Sequence, residues 1–258
     1  MDIPFSLEGR TALIAGASSG FGARFAILFA AAGANVVLGA RRTDRTDALA
    51  QQIADAGGKA LAVPLPLDVT DEASVVAAYD AAEAAFGTVD TIIANAGVAA
   101  SGRATEVAAD RLQTLLDTNF KGVYLVAREG AKRLIASGSR EKGNGRIVIV
   151  GSITSRQTGD GDSAYAASKA GITHLGRNFA REWVRQGINV NIIHPGYIAT
   201  EIQGDWYQTA GGKAQIAGFH RRRLQDIESL DPMMLYLSSD ASQMVTGSDM
   251  VVDDGQSL

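Results

Sequence analysis

Short β-branched runs alternate with longer alanine-rich stretches along this chain of 258 residues. Several of the short runs are apolar throughout, which is typical of strands that helices cover on both faces. The runs that predict strands are Thr11–Ala15, Asn35–Ala40, Ala60–Leu67, Thr91–Ala94, Arg146–Val150, Asn189–Ile193 and Met250–Val252. Helices are predicted near 21–32, 44–56, 71–86, 105–137, 163–186 and 226–238. Strands that alternate with helices predict an α/β fold with a parallel sheet, joined by right-handed strand–helix–strand crossovers. We therefore expect a doubly wound parallel sheet.

The late part of the chain interrupts this alternation. Residues 197–225 form the longest stretch without clear periodicity, and loops of that length are often lids or binding loops. No charge block, low-complexity tract or proline-rich linker marks a domain boundary elsewhere. We therefore expect one domain over residues 1–258, with a substrate-binding lid near 197–220.

Composition excludes several classes of protein. The chain has no cysteine, which rules out disulfides, iron–sulfur clusters and a cysteine nucleophile, and its three histidines leave little for a metal site. A net charge of -4 gives no electrostatic footprint for nucleic acid. No apolar run approaches the roughly 18 residues of a membrane span, and the N-terminus lacks the pattern of a signal peptide. We expect a cytoplasmic protein with no metal, nucleic-acid or membrane partner.

The first predicted strand runs into a glycine-rich turn and then a helix. Such a turn presents backbone N–H groups and the positive end of a helix dipole to an anion. Glycine is needed where phosphate approaches the backbone and where the helix packs on the strand. The spacing G-x3-G-x-G differs from the commoner dinucleotide pattern, and a purely structural turn is the alternative. The residues of the turn are Gly16, Ala17, Ser18, Ser19, Gly20, Phe21 and Gly22.

The same turn matches G-x-S-x-G, the nucleophile elbow of α/β-hydrolases, with Ser18 as the nucleophile. That fold needs an earlier strand and an upstream loop for the oxyanion hole, whereas only fifteen residues precede Gly16. His194 and His220 follow Ser18 in the chain, but neither has a local context that favours a triad. We interpret the match as accidental.

The end of the second predicted strand bears on cofactor preference. A dinucleotide-binding protein places an acidic residue there for a ribose 2′-hydroxyl, or an arginine for a 2′-phosphate. This chain has Ala40 followed by Arg41 and Arg42, and a guanidinium is suited to a phosphate dianion. Arg41 is the predicted phosphate contact and NADP(H) the predicted cofactor. Arg42 is a second candidate, with a solvated side chain that opens a helix as the alternative.

A tyrosine and a lysine begin the predicted helix near 163–186. Tyr165 and Lys169 are spaced i, i+4, so they lie on one helical face. A free tyrosine has a pKa near 10, and it becomes a useful proton exchanger where positive charge stabilises its phenolate. Alone the pair is a weak signal, because this spacing is common by chance.

Together these motifs resemble the short-chain dehydrogenase/reductase family over nearly the whole chain. The matching residues, in the family's order and spacing, are Gly16-x3-Gly20-x-Gly22, Asn95-Ala96-Gly97, Asn119, Ser152, Tyr165-x3-Lys169 and Pro195-Gly196. The resemblance implies a Rossmann-type fold with a seven-stranded parallel sheet, and hydride transfer between a nicotinamide cofactor and a carbonyl or alcohol substrate. Ser19 is not basic, unlike the matching residue of some NADP-preferring relatives, so the NADP(H) prediction depends mainly on Arg41.

The resemblance assigns catalytic roles to four residues. Tyr165 would exchange a proton with the substrate oxygen, and Ser152 would hydrogen-bond that oxygen. Lys169 would bind the nicotinamide ribose and lower the pKa of Tyr165. Asn119 would hold a water molecule in a proton relay. Taken singly, Ser152 also fits a turn cap, and Asn119 fits a polar residue within a long helix.

Further cofactor contacts follow from the same resemblance. Asp68 and Val69 would lie beside the adenine, although Asp68 also fits a helix N-cap. Asn95 would line the cleft and stabilise the central sheet. The remaining predicted contacts are Ala96, Gly97, Pro195, Gly196, Ile198 and Thr200, the last two near the nicotinamide carboxamide and a phosphate.

Substrate and assembly follow from the later part of the chain. Apolar and aromatic residues of the lid favour a cyclic or medium-chain carbonyl compound, and Ile202 and Ile216 fit packing equally well. The resemblance also implies a homotetramer in which the helices near 105–137 and 163–186 pair across a two-fold axis. The lid residues are Ile202, Trp206, Tyr207, Ile216 and Phe219, and the small residues expected at the helix pair are Ala167, Gly171 and Gly176.

The sequence therefore predicts an NADP(H)-dependent carbonyl reductase or alcohol dehydrogenase. A non-catalytic dinucleotide sensor or interaction protein on the same fold is the alternative. A sensor has no need of Tyr165 and Lys169, so the intact set of four polar residues argues for the enzyme.

Overall fold

The computed structural model describes residues 5–62 and 66–258, and within them seven parallel strands form one sheet in the order β3-β2-β1-β4-β5-β6-β7. The order reverses between β1 and β4, and ligands of such sheets bind at the carboxyl ends of the strands around this point. The predicted doubly wound, Rossmann-type sheet is confirmed. The strands are β1 (Thr11–Ala15), β2 (Asn35–Gly39), β3 (Lys59–Ala62), β4 (Thr91–Ala94), β5 (Gly145–Val150), β6 (Ile188–Pro195) and β7 (Asp249–Val252).

Helices cover both faces of the sheet, because successive side chains of each buried strand point to opposite sides. Leu13 and Ile92 pack in the core under α3, α5 and α7, whereas Ile14 and Ile93 pack under α1, α2 and α9. The helices are α1 (Gly20–Ala31), α2 (Thr43–Asp55), α3 (Glu72–Phe86), α4 (Ala109–Leu116), α5 (Val123–Ala136), α6 (Ser139–Lys142), α7 (Ser163–Trp183), α8 (Ala210–Gly218) and α9 (Asp231–Ser238).

The helix predicted over 105–137 differs from the structure in two ways. It begins only at Ala109, and a π-helical turn at Asp117–Gly122 separates α4 from α5. Such turns admit one extra residue and are frequent at functional sites. This turn contains Asn119.

The third strand is shorter than the predicted Ala60–Leu67. β3 pairs with β2 over Lys59–Ala62, and residues 63–65 lie outside the described part of the chain. Pro66 has no N–H to donate to a strand ladder. Leu67 keeps one backbone hydrogen bond, from its N–H to the Ala40 carbonyl oxygen at 3.0 Å. The strand prediction was too long at its carboxyl end.

Gly176 and Gly212 both allow close packing. A Cβ on Gly176 would lie 2.9 Å from the Ile192 side chain, so this residue faces the sheet and not the outer surface of α7. A Cβ on Gly212 would lie 2.1 Å from the Trp206 carbonyl oxygen, so Gly212 lets the turn around Trp206 pack on α8. The prediction that Gly176 lies at a helix–helix interface between subunits was wrong.

Among the described helices, none combines the length and the apolar character needed to cross a bilayer.

Candidate active site

A cleft of about 970 Å³ opens at the carboxyl ends of the strands. This volume is at the upper end for ligand pockets in proteins. Most of the residues predicted to be catalytic or to contact a cofactor line it, whereas Gly22, Asn119 and Ile198 do not. Those that line it are Gly16, Ser18, Ser19, Gly20, Phe21, Arg41, Arg42, Asp68, Val69, Asn95, Ala96, Gly97, Ser152, Tyr165, Lys169, Pro195, Gly196 and Thr200.

The three glycines of the turn have different physical roles. Gly16 has a φ of +81°, and a Cβ there would lie 2.8 Å from the Ala96 Cα atom, so only glycine leaves this approach open. A Cβ on Gly22 would lie 2.1 Å from the Gly16 carbonyl oxygen, so Gly22 packs α1 on the turn. Since α1 begins at Gly20, the free N–H groups of its first turn lie at the cleft wall. These features fit the phosphates of a dinucleotide.

Asn95 connects β4 to the glycine turn. Its Nδ2 donates to the carbonyl oxygens of Ala15 (3.3 Å) and Gly16 (3.2 Å). The side chain thereby fixes the carboxyl ends of β1 and β4 relative to each other, at the point where the strand order reverses.

Arg42 connects the glycine turn to the lid. Its guanidinium donates to Ser18 Oγ (3.0 Å) and Ser19 Oγ (2.7 Å), and its Nη1 lies 3.0 Å from Glu201 Oε2. Arg45 binds the same carboxylate at 2.6 Å. Arg42 does open α2 and its side chain is 44% exposed, as the solvated alternative has it, but the guanidinium is also paired with the glycine turn and the lid. The sequence could not indicate this contact, because Arg42 and Glu201 are 159 positions apart.

Asp68 lines the same cleft as Arg41 and Arg42. Its Oδ1 accepts hydrogen bonds from the backbone N–H (2.9 Å) and the hydroxyl (2.8 Å) of Thr70. Those bonds hold the pKa of Asp68 below its usual value, and the charge of Arg41 lowers it further. Asp71, not Asp68, caps α3. The helix-cap alternative for Asp68 is therefore wrong.

The side chain of Ile198 does not line the cleft. Its side chain is 2% exposed and packs in the core beside α1 and α9. The apolar side chain is more stable there than at a polar cleft wall. Any contact of this residue with a ligand is confined to its backbone.

Tyr165, Ser152 and Lys169 converge on the floor of the cleft. Lys169 Nζ lies 5.6 Å from the centre of the Tyr165 ring and donates to the Val150 carbonyl oxygen at 2.8 Å. Burial lowers the pKa of Lys169 to about 8. Ser152 Oγ accepts a bond from the Thr154 N–H (3.2 Å), so it does cap a turn, and it also adjoins the Tyr165 hydroxyl.

The pKa of Tyr165 lies above its usual value in the protein by itself. Burial raises it, the nearby charge of Asp162 raises it further, and the contact with Ser152 opposes the rise. In the protein by itself, desolvation of the phenolate outweighs the favourable contacts, and Tyr165 is therefore a neutral phenol at pH 7. The lowered pKa predicted for Tyr165 depends also on the positive charge of a bound nicotinamide ring, so it stays a prediction.

Asn119 lies behind this group, fully buried. Its Oδ1 accepts from the Val98 N–H (2.8 Å), and its Nδ2 donates to the Val98 carbonyl (2.9 Å) and to Ser168 Oγ (3.3 Å). The side chain thus fixes the loop after Gly97 to α7. Asn119 is therefore a polar residue within a helical turn, as the alternative has it, and its role in a proton relay stays a prediction.

His194 supports the site in a way that the sequence did not indicate, since there it was considered only for a hydrolase triad. Its Nδ1–H donates to the Ser152 carbonyl (2.9 Å), and its ring is fully buried. His220 lies elsewhere, with Nε2 2.8 Å from the Leu258 carbonyl oxygen. Within the described chain the hydrogen bonds of Ser18 Oγ are with Arg42. No histidine adjoins Ser18, which excludes the hydrolase triad.

The lid contributes a mixed polar and aromatic wall. Ile202, Trp206 and Tyr207 line the cleft, whereas Ile216 and Phe219 do not, and Phe219 stacks on Tyr197 instead. The packing alternative was thus wrong for Ile202. Sequence reasoning missed several polar residues on this wall because none belongs to a motif: Asp162, Tyr197, Glu201 and Gln215. No group of three or more metal-binding side chains occurs in the part of the chain that is described.

Comparisons with known proteins agree with this geometry. The family model "short chain dehydrogenase" matches residues 10–211. The chain is 32% identical to D-threitol dehydrogenase of Mycolicibacterium smegmatis, over 100% of this chain and 96% of that protein. It is 36% identical to cis-4-hydroxycyclohexanecarboxylate dehydrogenase of Sinomonas cyclohexanicum, over 95% of this chain and 96% of the relative.

A solved structure has the same fold. The gluconate 5-dehydrogenase of Burkholderia cenocepacia, in complex with NADP and tartrate, superposes with a TM-score of 0.91 at 31% identity, over 98% of this chain and 97% of that one. The family match, the full-length relatives and the cleft geometry lead to one conclusion: the chain belongs to the short-chain dehydrogenase family of NAD(P)-dependent oxidoreductases.

Proposed function

We propose that this protein is an NADP(H)-dependent enzyme that interconverts a ketone and a secondary alcohol, with Tyr165 as the general acid and base. The observation that carries the proposal is the convergence of Ser152, Tyr165 and Lys169 on the floor of a cleft with a dinucleotide-binding turn. When bound, the nicotinamide cofactor supplies or accepts the hydride.

Each of the four polar side chains has its own part in the proton transfer to the substrate oxygen. An ordinary tyrosine is already protonated at pH 7, and burial raises the pKa of Tyr165 further, so in the direction of reduction its hydroxyl donates a proton to the substrate oxygen. Ser152 donates a second hydrogen bond to that oxygen and orients it. The phenolate left behind is stabilised by the Lys169 ammonium. Asn119 fixes the loop after Gly97 to α7, the helix that carries Tyr165 and Lys169. A water relay beside Asn119 returns the proton to Tyr165.

The test is turnover with ketones in the presence of NADPH or NADH, followed by the absorbance of the reduced nicotinamide. Oxidation of the cofactor that depends on the ketone supports the proposal. Tight dinucleotide binding without turnover across the panel identifies a sensor and contradicts it.

A pH profile tests the role of Lys169. The lysine is charged below a pKa of about 8 and neutral above it, so we expect kcat/KM for ketone reduction to fall about tenfold per pH unit above that value. The Tyr165 phenol stays protonated over this range, so the fall reports the lysine. Lys169→Arg keeps its charge at high pH and should remove the fall, whatever its absolute rate. A profile that stays flat in the wild type contradicts the assignment.

The preference for NADP(H) is supported by charge at the β2 end of the cleft. Arg41 and Arg42 line it, and Ala40 contributes no carboxylate to repel a 2′-phosphate. The related gluconate 5-dehydrogenase binds NADP. Glu201 binds Arg42 and Arg45 in the protein as described, so a 2′-phosphate competes with this carboxylate for Arg42.

We infer that residues 1–258 act as one domain whose segment near 197–220 covers the substrate. Trp206 and Tyr207 from this segment face the cleft, and α8 holds them in place. The relatives' names describe a polyol, a hydroxycyclohexane carboxylate and a sugar acid, all of which carry secondary alcohols. A secondary alcohol or the matching ketone is therefore the reacting group that we propose here.

We propose that the protein is a homotetramer in which α4 and α5 pair with their copies. Four large apolar side chains, each 38–39% exposed, are spaced four residues apart along these helices: Leu112, Leu116, Phe120 and Tyr124. An exposed apolar stripe of this kind marks an interaction surface. Met244 and Leu258, 88% and 92% exposed, lie on the C-terminal side that would form a second interface.

Charge placed in the stripe should break the assembly. Leu112→Glu with Leu116→Glu is expected to convert tetramers to dimers, because buried glutamates repel across a two-fold axis. Sedimentation velocity measures the mass. Arg111→Glu is the control, since Arg111 is exposed and lies off the stripe. A doubly substituted protein of unchanged mass contradicts the interface, and a monomeric wild type contradicts the tetramer.

A further inference from the structure

Asp162 carries a carboxyl group that faces the cleft without a partner. It immediately precedes α7, yet its side chain makes no cap hydrogen bond to the helix. Its backbone carbonyl accepts a bond from the Ala166 N–H at 2.9 Å. No hydrogen bond or ion pair involves the carboxyl group in residues 5–62 and 66–258. The side chain lines the cleft beside Tyr165.

The carboxyl group has lost part of its water. Asp162 is half-buried, and this burial raises its pKa to about 6, with no charge or hydrogen bond to oppose the rise. At pH 7 the group is ionised, and a partly desolvated carboxylate is stabilised by any donor that enters the cleft.

The groups around Asp162 are neutral and polar. Burial raises the pKa of both Tyr197 and Tyr207, and the charge of Asp162 raises that of Tyr197 further. Gln215 Oε1 accepts from the Trp206 indole N–H at 2.7 Å, and all of these residues line the cleft. Hydroxyl and amide groups both donate and accept, so this wall matches a ligand with several hydroxyls.

The same wall offers nothing to a negatively charged ligand. The cationic side chains that line the cleft, within the described residues, are Arg41, Arg42 and Lys169. The two arginines belong to the β2 end, and Lys169 donates to the Val150 carbonyl. No cationic side chain contributes to the pKa shift of Asp162 among the described residues. A substrate carboxylate near Asp162 would therefore meet a like charge.

We propose that Asp162 accepts a hydrogen bond from a second hydroxyl of the substrate, so that the enzyme acts on small neutral hydroxyketones and polyols and discriminates against carboxylates. This inference rests on the proposed function, whose substrate class it names. Asp162 is a specificity residue, and Tyr165 remains the group that handles the proton.

Three ketones of similar size test the proposal: butan-2-one, its 3-hydroxy derivative and acetoacetate. We expect wild-type kcat/KM to be about tenfold or more higher for the hydroxyketone than for the other two. Asp162→Ala should lower the value for the hydroxyketone roughly 10- to 100-fold more than that for butan-2-one, which reports any effect of the lost charge on Tyr165 itself. Asp162→Asn should raise the value for acetoacetate, because it removes the like charge. Asp205→Asn, an exposed lid residue outside the cleft wall, is the matched control and should change none of the three.

A binding measurement keeps the test independent of turnover. Calorimetry of butane-2,3-diol with the NADPH-loaded protein, a pair that cannot react, should show binding that Asp162→Ala weakens about tenfold or more, while NADPH affinity stays the same. Equal losses for all three ketones, a wild-type preference for acetoacetate, or diol binding indifferent to Asp162 each overturn the proposal. So does preferential turnover of aminoacetone, which would make the site one for amines. If the diol binds through Asp162 but no ketone reacts, the proposed reaction fails and the assignment of Asp162 stands.

Discussion

Replacing Tyr165 with phenylalanine is expected to lower kcat about 10³-fold, which is the usual contribution of a positioned general acid. The substitution removes one hydroxyl and leaves the ring, so the contact with Lys169 and the packing of α7 persist. NADPH affinity, measured by fluorescence titration, should change less than about threefold. A fall in kcat without a fall in affinity separates the proton transfer from cofactor binding.

Tyr79 provides the matched control for that experiment. Its hydroxyl is also buried, where it donates to the Val126 carbonyl at 2.9 Å, on the core side of α5 and away from the cleft. Tyr79→Phe should lower the free energy of unfolding by about 1 kcal/mol and leave kcat unchanged. Wild-type rates in Tyr165→Phe would refute the role of the tyrosine.

Replacing Arg41 with alanine should weaken NADP(H) about 10- to 100-fold, since a charge-assisted bond to phosphate contributes roughly 1.5–3 kcal/mol. NAD(H) has no 2′-phosphate, so its affinity should stay nearly constant. Dissociation constants for both cofactors, measured at low and high salt, decide the matter. Equal losses for the two cofactors would mean that Arg41 does not contact the phosphate.

Two companion variants sharpen this result. Arg140→Ala removes the same charge from an exposed position outside the cleft and should leave both affinities unchanged. Glu201→Gln should strengthen NADP(H) binding, because it weakens the ion pair that occupies Arg42. Weaker NADP(H) binding in that variant would mean that the lid carboxylate holds Arg42 in place for the phosphate and does not compete with it.

Local patterns were enough to predict the sheet and the floor of the cleft. Apolar strands alternate with helices, and in a parallel sheet their carboxyl ends meet at one edge. Glycine spacing and the Tyr165-x3-Lys169 pair then place residues at that edge. The side chain of Ile198 turns into the core, which spacing could not predict, because the direction of a single loop side chain depends on how the loop packs.

Contacts between distant segments could not be predicted in this way. The pairing of Arg42 with Glu201 depends on how the lid packs against the sheet. The role that we propose for Asp162 could not be predicted, because an acidic residue before a helix is ordinarily a cap. The structure shows that its side chain makes no cap hydrogen bond. The pKa of Tyr165 likewise depends on burial, which no i, i+4 spacing conveys.

The π-helical turn between α4 and α5 also determines which side chains of the two helices point outward. In an α-helix, residues four apart drift by about 40° around the axis at each step, so a row spaced in fours would wind away from a flat partner. The extra residue in the π-helical turn at Asp117–Gly122 offsets this drift at the middle of the row. Leu112 and Tyr124 can then face outward on one line while Asn119 points inward to Val98. Deleting one residue from this turn should therefore misalign the outer row and the buried amide together.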